Sequence, residues 1–493
     1  MPRVAARGPV LVPPRPATTP SRAPVAVRAD PALQRHTERT WLLGGGAATH
    51  VPLRSLELGE RSATPPALRE VSETELRARV NEQQQARAVE LAAGRPRPAA
   101  RATPEDGSVK VRAFHLAAFR DGGQEYAYAL ARIGQREGFD VVLRVPSEHL
   151  AVRREELALR KLTNVQLQPI AEANLHGPER LDGWSEDQGE LHLDGSVSVL
   201  PRLPPGAALF RAVLAEREQR LRGAGGPFPS VGAVSERNAE RALAAIAVGR
   251  DAGLRTATTY LEGGNTLTGT LPSGEGYALV GRDSFTASRL LLEHELGRAV
   301  TADELTARVA EDLGVETKHV FAVEQPGDFH LDMKMMLLPG GHVVVNDAAQ
   351  AAGLQATWLR EEHAERGVPV PPELEAALAR EAQRAKTVAA AEALAVRDLA
   401  GTGLTVHRMA GVFAALPGRG AMNFLNGEAA QNAKGEAFYV ALGGDARAEA
   451  HVVGELGALP GGARRVHFIS RSLSAETLTH HGGLSCRTKL EAM

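Results

Sequence analysis

The sequence predicts an α/β protein that is built from several similar strand–strand–helix–strand units. Three observations point to this class. Short apolar runs alternate with polar residues as strands do. Several runs come in pairs around a glycine turn, as 334–338 and 342–345 do around Pro339-Gly340-Gly341. A helical segment lies between successive sets of strands, which favours an α/β architecture.

Regular alternation begins near Val109, and strands and helices follow each other to the end of the chain. The predicted strands are 109–115, 139–143, 191–199, 256–261, 277–280, 319–323, 334–338, 342–345, 404–407, 437–442 and 465–469. The predicted helices are 72–94, 124–137, 207–222, 235–249, one each from residues 284 and 301, 372–399 and 445–457. Ser72 is expected to cap the first helix, with Glu73 and Glu75 in its first turn.

The first part of the chain differs from the rest in composition. Residues 1–30 are rich in Pro, Arg and Ala, and such a segment buries too little apolar surface to offset the entropy of ordering it. We therefore expect 1–105 to be a largely flexible extension with one short helix, and 106–493 to be the folded domain.

Bulk properties exclude several kinds of partner. A net charge of −2 provides no basic field for nucleic acid, and aromatic residues at 4% provide few stacking platforms. No apolar run approaches the length of a membrane span, and no secretion signal stands at the N-terminus. One cysteine permits no disulfide framework and suits a reducing compartment. We expect a cytoplasmic protein, with secretion by a non-classical route left open, as is the oligomeric state.

The single cysteine, Cys486, is the first candidate for chemistry. It follows Gly482-Gly483, where the backbone can approach a ligand closely. A thiolate beside an imidazole is a standard covalent catalyst. A small buried structural cysteine is the ordinary alternative.

Three other stretches carry polar groups beside predicted strand ends or glycine turns. His330 and Asp332 would share one face of an extended segment. Glu262 stands at a strand end before two glycines, and a partly buried carboxylate there needs a partner, for which His330 is suitable. Trp184 offers a flat face to a cation and Asp187 a carboxylate. Taken singly, each is also compatible with a solvent-facing strand start, a strand-end glutamate or an acidic loop.

Taken together and in this order, these residues resemble the guanidine-modifying, or pentein, superfamily. It includes agmatine deiminase, arginine deiminase, peptidylarginine deiminase and the dimethylarginine hydrolases. The shared pattern is an Asp in a Trp-x-x-Asp-x-Gly-like loop, a Glu-Gly-Gly turn, a His-x-Asp segment and a glycine-preceded Cys; residues 422–425 also resemble the Asn-Phe strand of agmatine deiminases. The resemblance covers 108–493 and implies a five-bladed α/β propeller. Departures are Glu186 in place of Arg, Ser485 in place of His, Asn265 in place of Asp or Ser, and a shorter glycine run.

The resemblance also implies a mechanism and a set of roles. The implied function is a hydrolase that deiminates a guanidine group through a covalent thiouronium, without cofactor or metal. The substrate is left open among arginine, agmatine, methylarginine and protein arginine. An amidinotransferase and a non-catalytic pentein-fold binding protein are the alternatives. The implied catalytic residues are Cys486, His330 and Glu262, and the implied substrate-binding residues are Asp187, Asp332, Trp184 and Asn265.

Overall fold

The computed structural model describes residues 38–44, 47–60, 65–94, 98–119, 123–176, 181, 183–204, 208–222, 242–327, 330–471, 473, 478 and 482–493. The segment 1–37, predicted to be flexible, lies outside the described residues, and so does most of the helix predicted at 235–249, up to residue 241.

The described residues form 21 strands and ten α-helices. The strands are β1 Arg39–Gly44, β2 Ala47–Pro52, β3 Val71–Ser72, β4 Asp106–Ala117, β5 Asp140–Pro146, β6 Val165–Ala171, β7 Gly189–Leu191, β8 Val197–Val199, β9 Leu254–Thr256, β10 Thr266–Thr270, β11 Gly276–Gly281, β12 Val320–Val323, β13 Met335–Leu338, β14 His342–Asn346, β15 Thr405–Met409, β16 Val412–Phe413, β17 Met422–Asn423, β18 Gly427–Gln431, β19 Ala437–Leu442, β20 Arg465–Ile469 and β21 Lys489–Ala492. The helices are α1 Glu73–Ala92, α2 Gly123–Glu137, α3 Leu150–Arg160, α4 Ala208–Arg222, α5 Ala244–Arg250, α6 Arg282–Leu296, α7 Ala302–Leu313, α8 Ala348–Glu365, α9 Pro372–Leu399 and α10 Ala446–Ala458.

Five units of one strand pattern repeat along the described chain. In each, the first two strands pair antiparallel, and the second pairs in parallel with a third across one or two helices. The units are β21–β4–β5, β7–β8–β9, β10–β11–β12, β13–β14–β15 and β18–β19–β20. This is the strand–strand–helix–strand pattern that the sequence predicts, and the α/β class is confirmed. In the first unit, β21 comes from the far end of the sequence.

The strands before residue 105 belong to the same sheet as later strands. The β1–β2 hairpin pairs through β1 with β20, and β3 pairs with β6. Trp41 and Leu43 pack against an apolar cluster that includes Val466 and Phe468. One compact unit runs from residue 37 to residue 493. The described residues from 38 onward therefore belong to the folded part of the chain, whereas the sequence assigned 1–105 to a largely flexible extension. The difference arises because β1 and β3 are stabilised by pairing with the distant strands β20 and β6.

Helix α1 is anchored by its polar residues as well as by a thin apolar face. Ser72 Oγ accepts a hydrogen bond from Glu75 N at 3.0 Å, which confirms the predicted cap. The nearly buried Arg87 donates to the carbonyl oxygens of Ala257 and Thr258 at 2.7 and 2.6 Å. It also pairs with Glu295 at 2.7 Å. The guanidinium thus replaces part of the apolar contact that the helix lacks.

Predicted element bounds agree best where long elements have clear ends. Helix α9 and strands β19 and β20 have the predicted limits. The single strand predicted at 191–199 is instead a hairpin of β7 and β8, since Gly195 has a φ of +81° and turns the chain. The strand predicted at 256–261 ends at Thr256, and residues 330–332 form a turn. No helix in the described ranges is long and apolar enough to cross a membrane.

Deleting residues 1–36 should leave cooperative melting, with at most a small change in Tm. Deleting residues 1–100 should abolish cooperative melting, because it removes β1, β2, β3 and α1 and exposes the apolar surfaces they cover. Differential scanning calorimetry of both truncated proteins and the full chain measures the melting transition and its Tm. If the longer deletion melts like the full chain, the domain boundary lies near residue 105 after all.

Candidate active site

The thiol of Cys486 lies at the centre of a buried polar cluster. Its side chain is only 2% exposed, in a single 3₁₀ turn before β21. The sulfur lies 3.2 Å from Asp332 Oδ2, 3.4 Å from Asn426 Nδ2 and 3.4 Å from the backbone N–H of Gly483. Among the described residues, the hydrogen-bonding neighbours of the thiol are therefore a carboxylate, an amide and a backbone donor rather than an imidazole.

Asn426 joins the thiol to the carboxylate and was not singled out by the sequence. Its amide nitrogen donates to Asp332 Oδ2 at 2.5 Å, and its oxygen accepts from the N–H of Ser485 at 2.9 Å. A Cβ atom at Gly483 would lie 2.0 Å from this oxygen, so only glycine fits there. Asn426 directly follows the 422–425 stretch, which is the one sequence signal near it.

Two carboxylates share the interior with the thiol. Ser485 Oγ donates to Glu186, whose two oxygens lie at 2.9 Å, and Asp332 Oδ2 is 3.4 Å away. Burial raises the pKa of Glu186 well above its ordinary value, and the negative charge of Asp332 raises it further. Burial also raises the pKa of Asp332, against the opposing effect of His330. Glu186, a departure from the family pattern, therefore tends to keep its proton in the free protein.

The same surroundings hold the thiol neutral. Burial raises the pKa of Cys486 well above its usual range, and Asp332, Glu186 and Asp187 raise it further. The N–H of Gly483 acts in the opposite direction. A cation that entered the cluster would offset the carboxylate charge and favour the thiolate.

His330 is buried between two carboxylates. Its Nε2 lies 3.3 Å from Glu262 Oε2, and its Nδ1 lies 3.5 Å from Asp187 Oδ1. Burial alone would lower the pKa of His330, but Asp187, Glu262 and Asp332 raise it to about 9. The ring is therefore an imidazolium at neutral pH. A Cβ atom at Gly264 would lie 2.4 Å from Nδ1, which explains the glycine at that position.

Each of the five units supplies the site from one equivalent place. Residues of the cluster lie just before the first strand of their unit: Cys486 before β21, Glu186 before β7, Glu262 before β10, Asp332 before β13 and Asn426 before β18. Segments that lead into strands are fixed at one end by the sheet, so their side chains hold defined positions. The repetition of the fold thus brings residues that are far apart in sequence to one place.

Two residues implied by the resemblance have other neighbours. The amide of Asn265 is buried and donates to Ser284 Oγ at 2.9 Å, at the start of α6. The ring of Trp184 lies 4.4 Å from the guanidinium carbon of Arg487. The structure brings together five of the seven candidates: Cys486, His330, Glu262, Asp187 and Asp332. The other two lie elsewhere, because Asn265 points toward α6 and Trp184 is covered by Arg487.

Acidic groups continue beyond the cluster. A cavity of about 20 Å³ adjoins Asp332 and Ser485 and is also lined by Glu105 and Glu428. Burial raises the pKa of Glu105 to about 8 and that of Glu428 to about 7. Lys489 lies 3.3 Å from Glu105. Carboxylates outnumber cations here, so the surroundings favour positive ligands.

By distance alone, three groups could also hold a metal ion. One ligand atom each from Glu186, Asp332 and Cys486 lies within 4.8 Å of the others. A thiolate and carboxylates are acceptable ligands for several divalent ions. The same negative atoms are equally suited to an organic cation with N–H donors.

The variant Asp187→Asn should lower the pKa of His330 from about 9 toward its ordinary value, because Asp187 is the main group that raises it. NMR titration of ¹³C-labelled histidines measures this directly. The His330 resonance is the one that disappears in His330→Gln. An unchanged titration in the Asn variant would contradict the placement of Asp187 beside the ring.

Replacing the ionised carboxylate beside the thiol should accelerate its alkylation. Asp332→Asn removes the main charge that raises the pKa of Cys486, so at fixed neutral pH more thiolate forms and iodoacetamide should react faster. Because Glu186 tends to keep its proton, Glu186→Gln should change the rate less. As the only cysteine, Cys486 gives an unambiguous signal, and Cys486→Ala supplies the blank. Asp194→Asn, in the exposed β7–β8 turn, should leave the rate unchanged. Slower labelling of Asp332→Asn would contradict the assignment.

No protein-family model matches the chain, and no curated protein matches it. Matching solved structures include a structural-genomics target provisionally described as agmatine deiminase, with 15% identity, a TM-score of 0.46, and coverage of 81% of this chain and 100% of that one. The agmatine deiminase of Enterococcus faecalis matches with 13% identity and a TM-score of 0.45, over 79% of this chain and 95% of that one. The DDAH of Pseudomonas aeruginosa, as a mutant complexed with citrulline, matches with 10% identity and a TM-score of 0.29, over 77% and 99%. These are pentein-superfamily structures, the kind that the sequence motifs resemble. The function proposed below rests on the geometry of the site itself.

Proposed function

We propose that this chain is a hydrolase that deiminates a guanidine group. One observation carries the proposal: the buried Oδ1 of Asp332 has no hydrogen-bond partner among the described residues, and it lies in an acidic cluster around a single thiol. A buried acceptor without a donor is costly, and a ligand with N–H groups and positive charge would satisfy it. A planar guanidinium offers both, and it matches paired carboxylates.

The reaction begins with attack by sulfur on the guanidinium carbon held between Asp187 and Asp332. The substrate charge lowers the pKa of the Cys486 thiol, whose proton passes to solvent as the C–S bond forms. The His330 imidazolium donates a proton to the leaving nitrogen, which departs as ammonia and leaves a thiouronium on the sulfur. Neutral His330 then takes a proton from water, whose oxygen attacks the same carbon. The C–S bond breaks, the remaining proton of that oxygen restores the thiol, and a neutral ureido product leaves.

Two further groups support these steps by position. Glu262 holds the imidazole at Nε2 and stabilises its positive charge, as the third member of a catalytic triad does. Asn426 donates a hydrogen bond toward sulfur and so favours the thiolate during attack. Both contacts come from segments that lead into strands.

We also propose that the five units close into a ring. They would be the blades of a five-bladed α/β propeller, with the cluster at its centre. Support comes from the equivalent position that each unit contributes to the site, and from the parallel pairing of β18 with β4, which joins the fifth unit to the first.

Incubation with free arginine, agmatine and an arginine-containing peptide should yield a ureido product and ammonia from at least one of them. Mass spectrometry detects the gain of about 1 Da that replacement of an imino group by oxygen produces, and Cys486→Ala should show none. Product that appears only when an acceptor amine is added would identify an amidinotransferase. Absence of conversion for all three, by a protein that melts cooperatively, would overturn the proposal.

Asp187→Asn and Asp332→Asn should each lower kcat/KM for the guanidine substrate by about a hundredfold or more, because one acceptor of a desolvated cation is lost. Asp194→Asn is the matched control and should retain full activity. Near-normal turnover in both site variants would show that Asp187 and Asp332 do not hold the guanidinium.

A further inference from the structure

The residue after the nucleophile is a cation held between two aromatic rings. The guanidinium carbon of Arg487 lies 4.4 Å from the ring centre of Trp184 and 4.7 Å from that of Tyr126. Stacking of this kind fixes the plane of a guanidinium and leaves its N–H groups pointing outward at the edge. Arg487, which follows Cys486 in the sequence, therefore has a defined orientation against Trp184 and Tyr126.

The guanidinium of Arg487 has no acceptor within the described part of the chain. Its side chain makes neither a hydrogen bond nor an ion pair with the described residues, and its Nε is buried without a partner. Arg160 offers a comparison: it stacks on Tyr128 at 4.8 Å and also pairs with Glu125 at 3.1 Å. Arg487 has the stacking contact without the carboxylate.

A second guanidinium contacts the residue after Trp184. Arg144 is fully buried in β5 and donates to Ser185 Oγ at 2.6 Å and to Leu116 O at 3.2 Å. Its Nη1 has no hydrogen-bond partner, and no carboxylate among the described residues pairs with it. Burial lowers its pKa to about 9, which leaves it charged at neutral pH. Trp184 and Ser185 thus each contact an arginine that has no carboxylate partner among the described residues, in contrast to the acidic cluster around the thiol.

We propose that Arg487 receives a carboxylate of the substrate, so that the guanidine acted on carries an anionic group at the far end of its chain. This rests on the proposed function and selects among its substrates. The site then has two poles: carboxylates hold the guanidinium over Cys486, and the fork of Arg487 binds a carboxylate through paired hydrogen bonds. Free arginine has both groups, agmatine lacks the carboxylate, and an arginine within a peptide has it blocked.

Steady-state kinetics of the full chain with four compounds test this. They are L-arginine, agmatine, δ-guanidinovalerate (arginine without its amine) and Nα-acetyl-argininamide, which has no free carboxylate. L-Arginine and δ-guanidinovalerate, the two compounds with a free carboxylate, should have higher kcat/KM values than the other two. Arg487→Met keeps the bulk against Trp184 and Tyr126 but removes the charge, and it should reduce the preference for arginine over agmatine by about ten- to a hundredfold. The change should lie mainly in KM, because the contact exists before and during the reaction.

Two further variants separate recognition from packing. Arg487→Lys keeps the charge and should retain part of the preference, whereas a purely structural Arg487 would leave the preference unchanged in every variant. Arg160→Met removes the comparable stacked arginine in α3 and should leave the preference intact.

The outcomes distinguish the two proposals. If agmatine or the capped arginine is converted as efficiently as arginine, or if Arg487→Met keeps the wild-type preference, the chain is a guanidine hydrolase and the carboxylate receptor is wrong. If no compound is converted and none binds to Cys486→Ala in calorimetry, both proposals fail.

Discussion

The burial of negative groups around one thiol is the constraint on which the rest of the site depends. Two carboxylates and a thiol in a water-poor interior cannot all be ionised, because each charge loses hydration and repels the others. The protein accommodates them by retaining protons on Glu186 and Cys486 and by placing the imidazolium of His330 nearby. In the free site the thiol is therefore protonated. In the proposed reaction, the cation that relieves the repulsion also favours the thiolate, so binding and activation have the same electrostatic cause.

Much of the site could be predicted from sequence because its members stand at turns. Asp187, Glu262 and Cys486 each lie within three residues of a glycine, and their order along the chain resembles a known pattern. Contacts between distant segments leave no such signal in the sequence. Ser485 and Glu186 are 299 residues apart, so neither residue could be assigned to the thiol from local pattern. Asn265 was assigned from the resemblance, but a 3₁₀ turn of three residues directs its side chain toward α6.

The fold, like the site, could be predicted where local sequence determines the structure and was missed where distant segments determine it. Helix α9 and strands β19 and β20 were predicted with their observed bounds, since local sequence determines their ends. Helices α3 and α8 and strand β6 were not predicted. The β1–β2 hairpin was missed because its strands are stabilised by pairing with β20 rather than by their own pattern. Site residues lie at equivalent positions before the first strand of each unit. This is a property of the assembled units, and no exact sequence repeat predicts it.

The pairing of β21 with β4 sets the order in which the protein becomes able to react. His115 in β4 and Glu491 in β21 are 376 residues apart and lie 2.7 Å from each other. During synthesis, β4 leaves the ribosome early and must wait for nearly the whole remaining sequence before β21 can complete its unit. Until then the growing chain carries its acidic groups and imidazole but lacks Cys486. The proposed covalent reaction therefore cannot begin before this last part of the sequence has been synthesised.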